Sequence, residues 1–190
     1  MSRISTFLGV AALALTGLIL TAEDFQPLMS TTQVAWPEKH HLGVICNYRA
    51  SESDIWALAK AAGEGNLITV VDARTPEQAS LAAAILANQH ADFMVLMPRD
   101  RNFGDGTFGA TVAVTRLANR GVPSIGTTQA ALAQGAVFSM GDGTDGQILV
   151  TDRLIGTVDV ILPSRNLASQ KSSLILRREG MATVAVQSAK

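Results

Sequence analysis

Five short, largely apolar runs, broken only by Thr69, Ser124 and Ser139, recur through the middle of this chain: Leu42 to Cys46, Leu67 to Val71, Phe93 to Met97, Val122 to Ile125 and Ala136 to Met140. The first four are each followed by a stretch suited to a helix. A strand with no apolar/polar alternation has to be covered on both faces, and strand-helix repetition supplies the cover. The pattern therefore predicts an α/β fold of three layers, a mostly parallel sheet with helices on both faces.

The helical stretches read from their spacing. Ile55, Leu58, Ala59 and Ala62 recur at i, i+3, i+4 and i+7, with Ser51 and Asp54 as an expected capping box and Gly63 and Gly65 as the stop. Thr75-Pro76-Glu77-Gln78 is the sharpest local signal. Pro76 has no N–H to leave unpaired at a first helical position, and Gln78 reaches back to the cap. The helix behind it is expected to bury Leu81, Ala82, Ile85 and Leu86. After the Pro98 to Gly106 loop, Ala110, Ala113, Val114 and Leu117 repeat the helical spacing until Gly121, and Thr127 or Thr128 is expected to cap a short helix ending at Gln134. Beyond the Gly141 to Gly146 turn, Ile148 to Ile155 suits a strand or a helix. Val158 to Leu162 is β-like, Asn166 to Leu176 suits a closing helix, and Met181 to Val186 a last strand or tail.

The N-terminus has a different character. Arg3 is the only charge before Glu23, and Phe7 to Ala22 is apolar or weakly polar throughout. A basic start followed by an apolar run is the pattern of a signal peptide, and its length approaches what crosses a hydrocarbon core. Residues 1–22 are thus expected to be a signal peptide or membrane anchor. Leu20 fits a cleavage pocket poorly, which favours retention, and the chain is placed in a periplasmic or extracellular setting, anchored to the inner membrane by residues 4–22 if uncleaved. Residues 23–41, with Pro27, Pro37 and the polar Ser30 to Gln33, read as a linker or arm, and 42–190 as the α/β domain. Roughly 168 residues after the leader suffice for one core without staples. A formal charge of −1, with acids and bases intermingled, lacks the basic patch that nucleic acid requires. Cys46 is the sole cysteine, so no internal disulfide can form, and it is expected to be buried.

Ligands of open parallel sheets bind beyond the carboxyl ends of the strands. That rule selects Asn47, Tyr48 and Arg49, then Asp72 and Arg74, then Arg99, Asp100 and Arg101, then Thr127 and Thr128. The expected ligand-binding set is Tyr48, Arg74, Arg99, Asp100, Thr127 and Thr128. Paired arginines suit a carboxylate or phosphate, and Tyr48 can stack on a flat ligand. Gly104, Asp105, Gly106 and Gly109 precede a helix but lack the Gly-Lys-Ser/Thr ending of a phosphate loop. A flavodoxin-like enzyme holding a phosphate there is the weakest of the readings. His40 and His41 diverge in an extended segment, Gly141 to Gly146 lacks the ligand spacing of a calcium loop, and no metal or cofactor is expected. His90 falls at the opposite end of the sheet from the rim, which leaves a serine nucleophile there without a base; no catalytic residue is expected and the chain reads as a non-enzyme.

Ala91-Asp92-Phe93-Met94-Val95-Leu96-Met97-Pro98, Gly121-Val122-Pro123-Ser124-Ile125-Gly126, Gln134-Gly135-Ala136 and Val160 to Leu167 together resemble the periplasmic substrate-binding proteins of ABC transporters, of the type I periplasmic-binding fold, in particular the tryptophan/tyrosine-transporter-like group. The resemblance implies an exported lobe that recognises a small molecule. That family clamps its ligand between two lobes, and this chain has length for one. The implied alternatives are a membrane-tethered structural, assembly or regulatory subunit that contacts a membrane protein partner, or a homodimer that rebuilds a cleft.

Overall fold

A computed structural model of the chain describes residues 22–140, 148–151, 172–176 and 181–187. Its centre is an eight-stranded sheet, with β1 (His41–Cys46), β2 (Leu67–Asp72), β3 (Phe93–Val95), β4 (Ser124–Gly126), β5 (Phe138–Met140), β6 (Ile148–Thr151), β7 (Ser172–Leu176) and β8 (Met181–Gln187) in the order β2-β1-β3-β4-β5-β6-β8-β7. The first five pair in parallel, and β6, β8 and β7 extend the sheet antiparallel. The α/β class and the parallel core follow the sequence pattern. Ile148 begins a strand, and Ser172 to Leu176 is a strand where a helix was expected. The Gly141 to Gly146 turn and Val158 to Leu162 lie outside the described residues, as does the leader. Among the described residues no helix is long and apolar enough to cross a membrane.

One face of the sheet is covered by α1 (Ala22–Ala35) and α2 (Tyr48–Ala62), the other by α3 (Ala79–Asn88), α4 (Phe108–Ala118) and the short α5 (Ala130–Gln134). The expected linker is thus largely a helix, and α1 corrects that reading. Phe25, Leu28, Met29, Thr32, Ala35 and Trp36 fall on one stripe, and all are buried. The polar residues that masked this stripe are satisfied inside the helix. Thr31 and Thr32 donate their hydroxyls to the carbonyls of Pro27 and Leu28, at 2.9 and 2.8 Å. Trp36 closes the layer, its ring 4.9 Å from that of Phe138 and 5.8 Å from that of Phe93.

Two further corrections concern helix faces. α2 starts at Tyr48 rather than at Ser51, so Ser51 and Asp54 become buried members of the helix instead of its cap. On α3 the buried residues are Ala79, Ala82, Ala83 and Leu86, whereas Leu81 and Ile85 are exposed, at 66% and 39%. Alanine faces the sheet because Gly43 beneath α3 brings helix and strand close. A Cβ on Gly43 would lie 2.8 Å from Leu86 Cδ1.

Candidate functional site

The loops beyond β1, β2, β3 and β4 all reach one rim, as the sheet topology requires, and the six selected residues lie on them. What joins them is a set of the chain's own carboxylates. Asp72, at the end of β2, accepts the Tyr48 N–H at 3.1 Å and an Arg74 guanidinium N–H at 3.0 Å. These bonds hold the Asp72 carboxyl below its ordinary range, the Tyr48 amide contributing most. Arg74 is also held through its backbone, since Gln78 Oε1 accepts the N–H of Arg74 at 2.6 Å and of Thr75 at 3.1 Å. The Thr75 to Gln78 signal forms as read, opening on one turn of 3-10 helix.

Asp100 turns inward instead of facing the rim. It is 5% exposed, and its carboxylate accepts N–H groups from Asn47 at 2.6 Å and from Asn102 and Phe103 at 2.8 Å, with the Ser51 hydroxyl at 3.4 Å. An acceptor so occupied positions the loop; it has little left for a ligand. Arg99 forks onto Asp54, whose side chain is 3% exposed while that of Arg99 is 39% exposed. Part of Arg99 therefore reaches solvent. Asn102 donates to the Arg74 carbonyl at 2.6 Å, and this ties the loop after β3 to the loop after β2.

Thr127 and Thr128 are held by Asp105, a residue singled out only for its place among glycines. Its Oδ2 accepts the Thr127 N–H and hydroxyl, both at 2.9 Å, and the Thr128 N–H at 2.5 Å. Burial outweighs these bonds and raises the Asp105 carboxyl above its ordinary range. The glycines around it serve close packing. A Cβ on Gly104 would lie 2.4 Å from the Asp100 carbonyl oxygen, one on Gly109 2.2 Å from that of Asn102, and one on Gly126 2.0 Å from Ala131 Cβ. The loop is filled by its own backbone, so the glycines are explained without a phosphate.

The side chains facing solvent on this rim include Tyr48, Arg49, Arg74 with its partner Asp72, part of Arg99, Arg101 and Phe108, the last 73% exposed at the start of α4. Most are cations and aromatics. Asp54 and Asp100 are turned inward and Asp105 is largely buried, all three holding loops, whereas Asp72, its side chain 42% exposed, stays at the surface paired with Arg74. This bias toward positive and aromatic surface could not be read from spacing. Cys46 is fully buried at the end of β1, its thiol pushed up to about 12, chiefly by burial. Among the described residues no group of three or more His, Cys, Asp or Glu side chains is placed to hold a metal. His90 lies just after α3 at the amino end of the strands, away from the rim.

No family model and no curated protein matches the chain. Solved structures do. An ABC domain from Streptococcus pneumonia in complex with L-Trp superposes with a TM-score of 0.55 at 12% identity, over 65% of this chain and 40% of that one. The fold is that of a periplasmic-binding lobe. A conserved domain protein from Vibrio cholerae O1 biovar eltor matches similarly, with a TM-score of 0.53 and 16% identity over 61% of this chain and 38% of that one. The chain thus spans well under half the length of the structures it matches, and at these identities the likeness concerns the fold.

Proposed function

We propose that this lobe is an exported, non-enzymatic binding domain that recognises a small carboxylate-bearing ligand of amino-acid type through the rim at the carboxyl ends of its strands. The observation that carries the reading is the exposed set of Tyr48, Phe108, Arg74 and Arg101 on a rim whose own carboxylates are already engaged. Arginine pairs with a carboxylate through two parallel bonds, and an aromatic ring covers a flat side chain. The L-Trp complex of the Streptococcus neighbour supports a ligand of this chemistry.

Calorimetric titration with L-tryptophan and the other aromatic amino acids tests it. Saturable binding is expected, weakened at least about tenfold in Arg74→Ala/Tyr48→Ala, both exposed positions. Arg99→Ala is the poorer probe because it strands the buried Asp54 carboxylate. No binding across the panel would sink the ligand reading.

A membrane protein partner is the second reading, favoured by an exposed rim on a single described lobe. Export or anchoring rests on Arg3 and the apolar run to Ala22. α1 begins at Ala22, so a start near Glu23 would leave its buried stripe intact. Mass measurement of the native protein separates a start near Glu23, which supports release, from retained Met1, which supports tethering.

A further inference from the structure

Strand β2 lies at one edge of the sheet, and among the described residues nothing pairs with its outer side. Natural edges are blunted by lysine, proline, bulges or shortness. This one has none of these: Leu67-Ile68-Thr69-Val70-Val71-Asp72 pairs with β1 in unbroken register over six residues, and its only charge is at the last. The N–H groups of Leu67 and Ala73 bond back to His40 and Cys46. By the alternation of a parallel ladder, Ile68, Val70 and Asp72 then direct their N–H and C=O groups outward.

The α3 face beside this edge is apolar in an equally unexplained way. Ser80 and Ala84 line a groove shared with Arg116, Asn119 and Arg120, so that flank of α3 faces the end of α4. By helical spacing Leu81 and Ile85 fall on the outer side of α3 away from that groove, Leu81 facing outward and Ile85 turned toward β2. Leu67, Thr69 and Val71 share this side of the sheet, because their register partners His41, Gly43 and Ile45 alternate with Leu42, Val44 and Cys46 of the α1–α2 core. Leu67 is 59% exposed. α3 carries no charged residue.

We propose that β2 and the Leu81–Ile85 flank form a homodimer surface, in which β2 pairs antiparallel with β2 of a second copy about a twofold axis at Thr69. The sequence selects both occupant and register. Centred on Thr69, Ile68 exchanges bonds with Val70 of the second copy, Leu67 stands opposite Val71, and Asp72 stands opposite the neutral Asn66. Shifted to centre on Val70, the same outward groups can pair, but Asp72 is set against Ile68. The first register leaves every apolar residue opposite an apolar one and separates the two Asp72 carboxylates. The axis runs perpendicular to the sheet, which brings both Leu81–Ile85 flanks together on one side. The carboxyl ends of the strands then point opposite ways in the two copies. Such a dimer leaves each rim free and does not join the two rims into one cleft.

Thr69→Cys tests the geometry in the full chain, held in a mild nonionic detergent because of the apolar run before Ala22. Opposed residues at such an axis have Cα atoms about 4.5 Å apart, within disulfide reach. Oxidation by glutathione disulfide should convert Thr69→Cys to a crosslinked dimer. Leu67→Cys should remain uncrosslinked, since its two copies would be about 13 Å apart along the strands. The buried Cys46 thiol gives no background. In sedimentation equilibrium the unaltered chain should be dimeric. Thr69→Lys, which opposes two like charges, should weaken the dimer at least about tenfold, and Leu81→Lys, at an exposed helix position, should weaken it several-fold with unchanged circular dichroism. A monomeric unaltered chain, a dimer indifferent to both lysines, or equal crosslinking at 67 and 69 would each overturn the proposal.

Discussion

The two faces of the sheet are built from different materials. The α1–α2 face is filled by large side chains, with Phe25, Leu28, Trp36, Leu42, Leu58, Phe93 and Phe138 all at most 1% exposed. The α3–α5 face is mostly alanine, with Ala79, Ala82, Ala83, Ala110, Ala113, Ala131 and Ala136 buried against Met94, Leu96 and Phe103. Large residues fill distance; small ones permit approach. The alanine face holds its helices close enough that Gly43 and Gly126 have no room for a side chain. The aromatic face needs α1 to complete it.

That difference predicts opposite sensitivities. Trp36→Ala removes the ring packed on Phe93 and Phe138 and is expected to cost about 3 to 5 kcal/mol in urea unfolding followed by circular dichroism. The indole N–H is buried without a partner among the described residues, so the expected loss is one of packing rather than of a hydrogen bond. A cost below about 1 kcal/mol would show that α1 only leans on the sheet. Across the sheet the damaging change is the reverse one. Ala82→Val adds volume where helix and strand already touch and is expected to cost about 1 to 3 kcal/mol. A neutral Ala82→Val would mean that the alanine face tolerates expansion, and the contrast between the faces would fail.

The parallel strands and several helix ends were legible because their signals are local: apolar runs for β1 to β5, the proline start at Pro76, and glycine stops at Gly63 and Gly121. α1 was harder to read because Thr31 and Thr32 are polar by composition yet spend their hydroxyls on their own helix. The exposed Leu81 and Ile85 defeat periodicity differently. On α3 the sheet takes the alanines, and larger residues do not mark the buried side. The rim positions followed from topology alone. Their roles did not, because whether a loop aspartate faces out or in depends on N–H groups distant in sequence. Asp100 meets Asn47 and Asp105 meets Thr127 only once the sheet has formed.

Asp105 gives the smallest and most selective test, because it ties the alanine face to the rim. Its folded carboxyl titrates above the unfolded value of 3.8, burial outweighing the bonds from Thr127 and Thr128. Below 3.8 both states hold the proton and the contribution is complete. As pH rises from there, the unfolded chain releases its proton while the folded chain keeps it, so this contribution falls away until the folded carboxyl has titrated as well. Asp72 and Glu77 act in the other direction. Both are held low, Asp72 first by the Tyr48 amide and Glu77 first by the Thr75 hydroxyl, and they remove stability as the solution is acidified below their unfolded values. The measured curve mixes these slopes, so the informative quantity is the difference between the unaltered chain and Asp105→Asn. Asparagine keeps an acceptor for Thr127 and Thr128 and does not titrate. The unaltered chain should lose stability relative to the variant as pH rises from 3.8, with a plateau once the folded carboxyl is ionised. A flat difference would place Asp105 in contact with solvent, and the rim at the end of β4 would then be open where the alanine face now closes it.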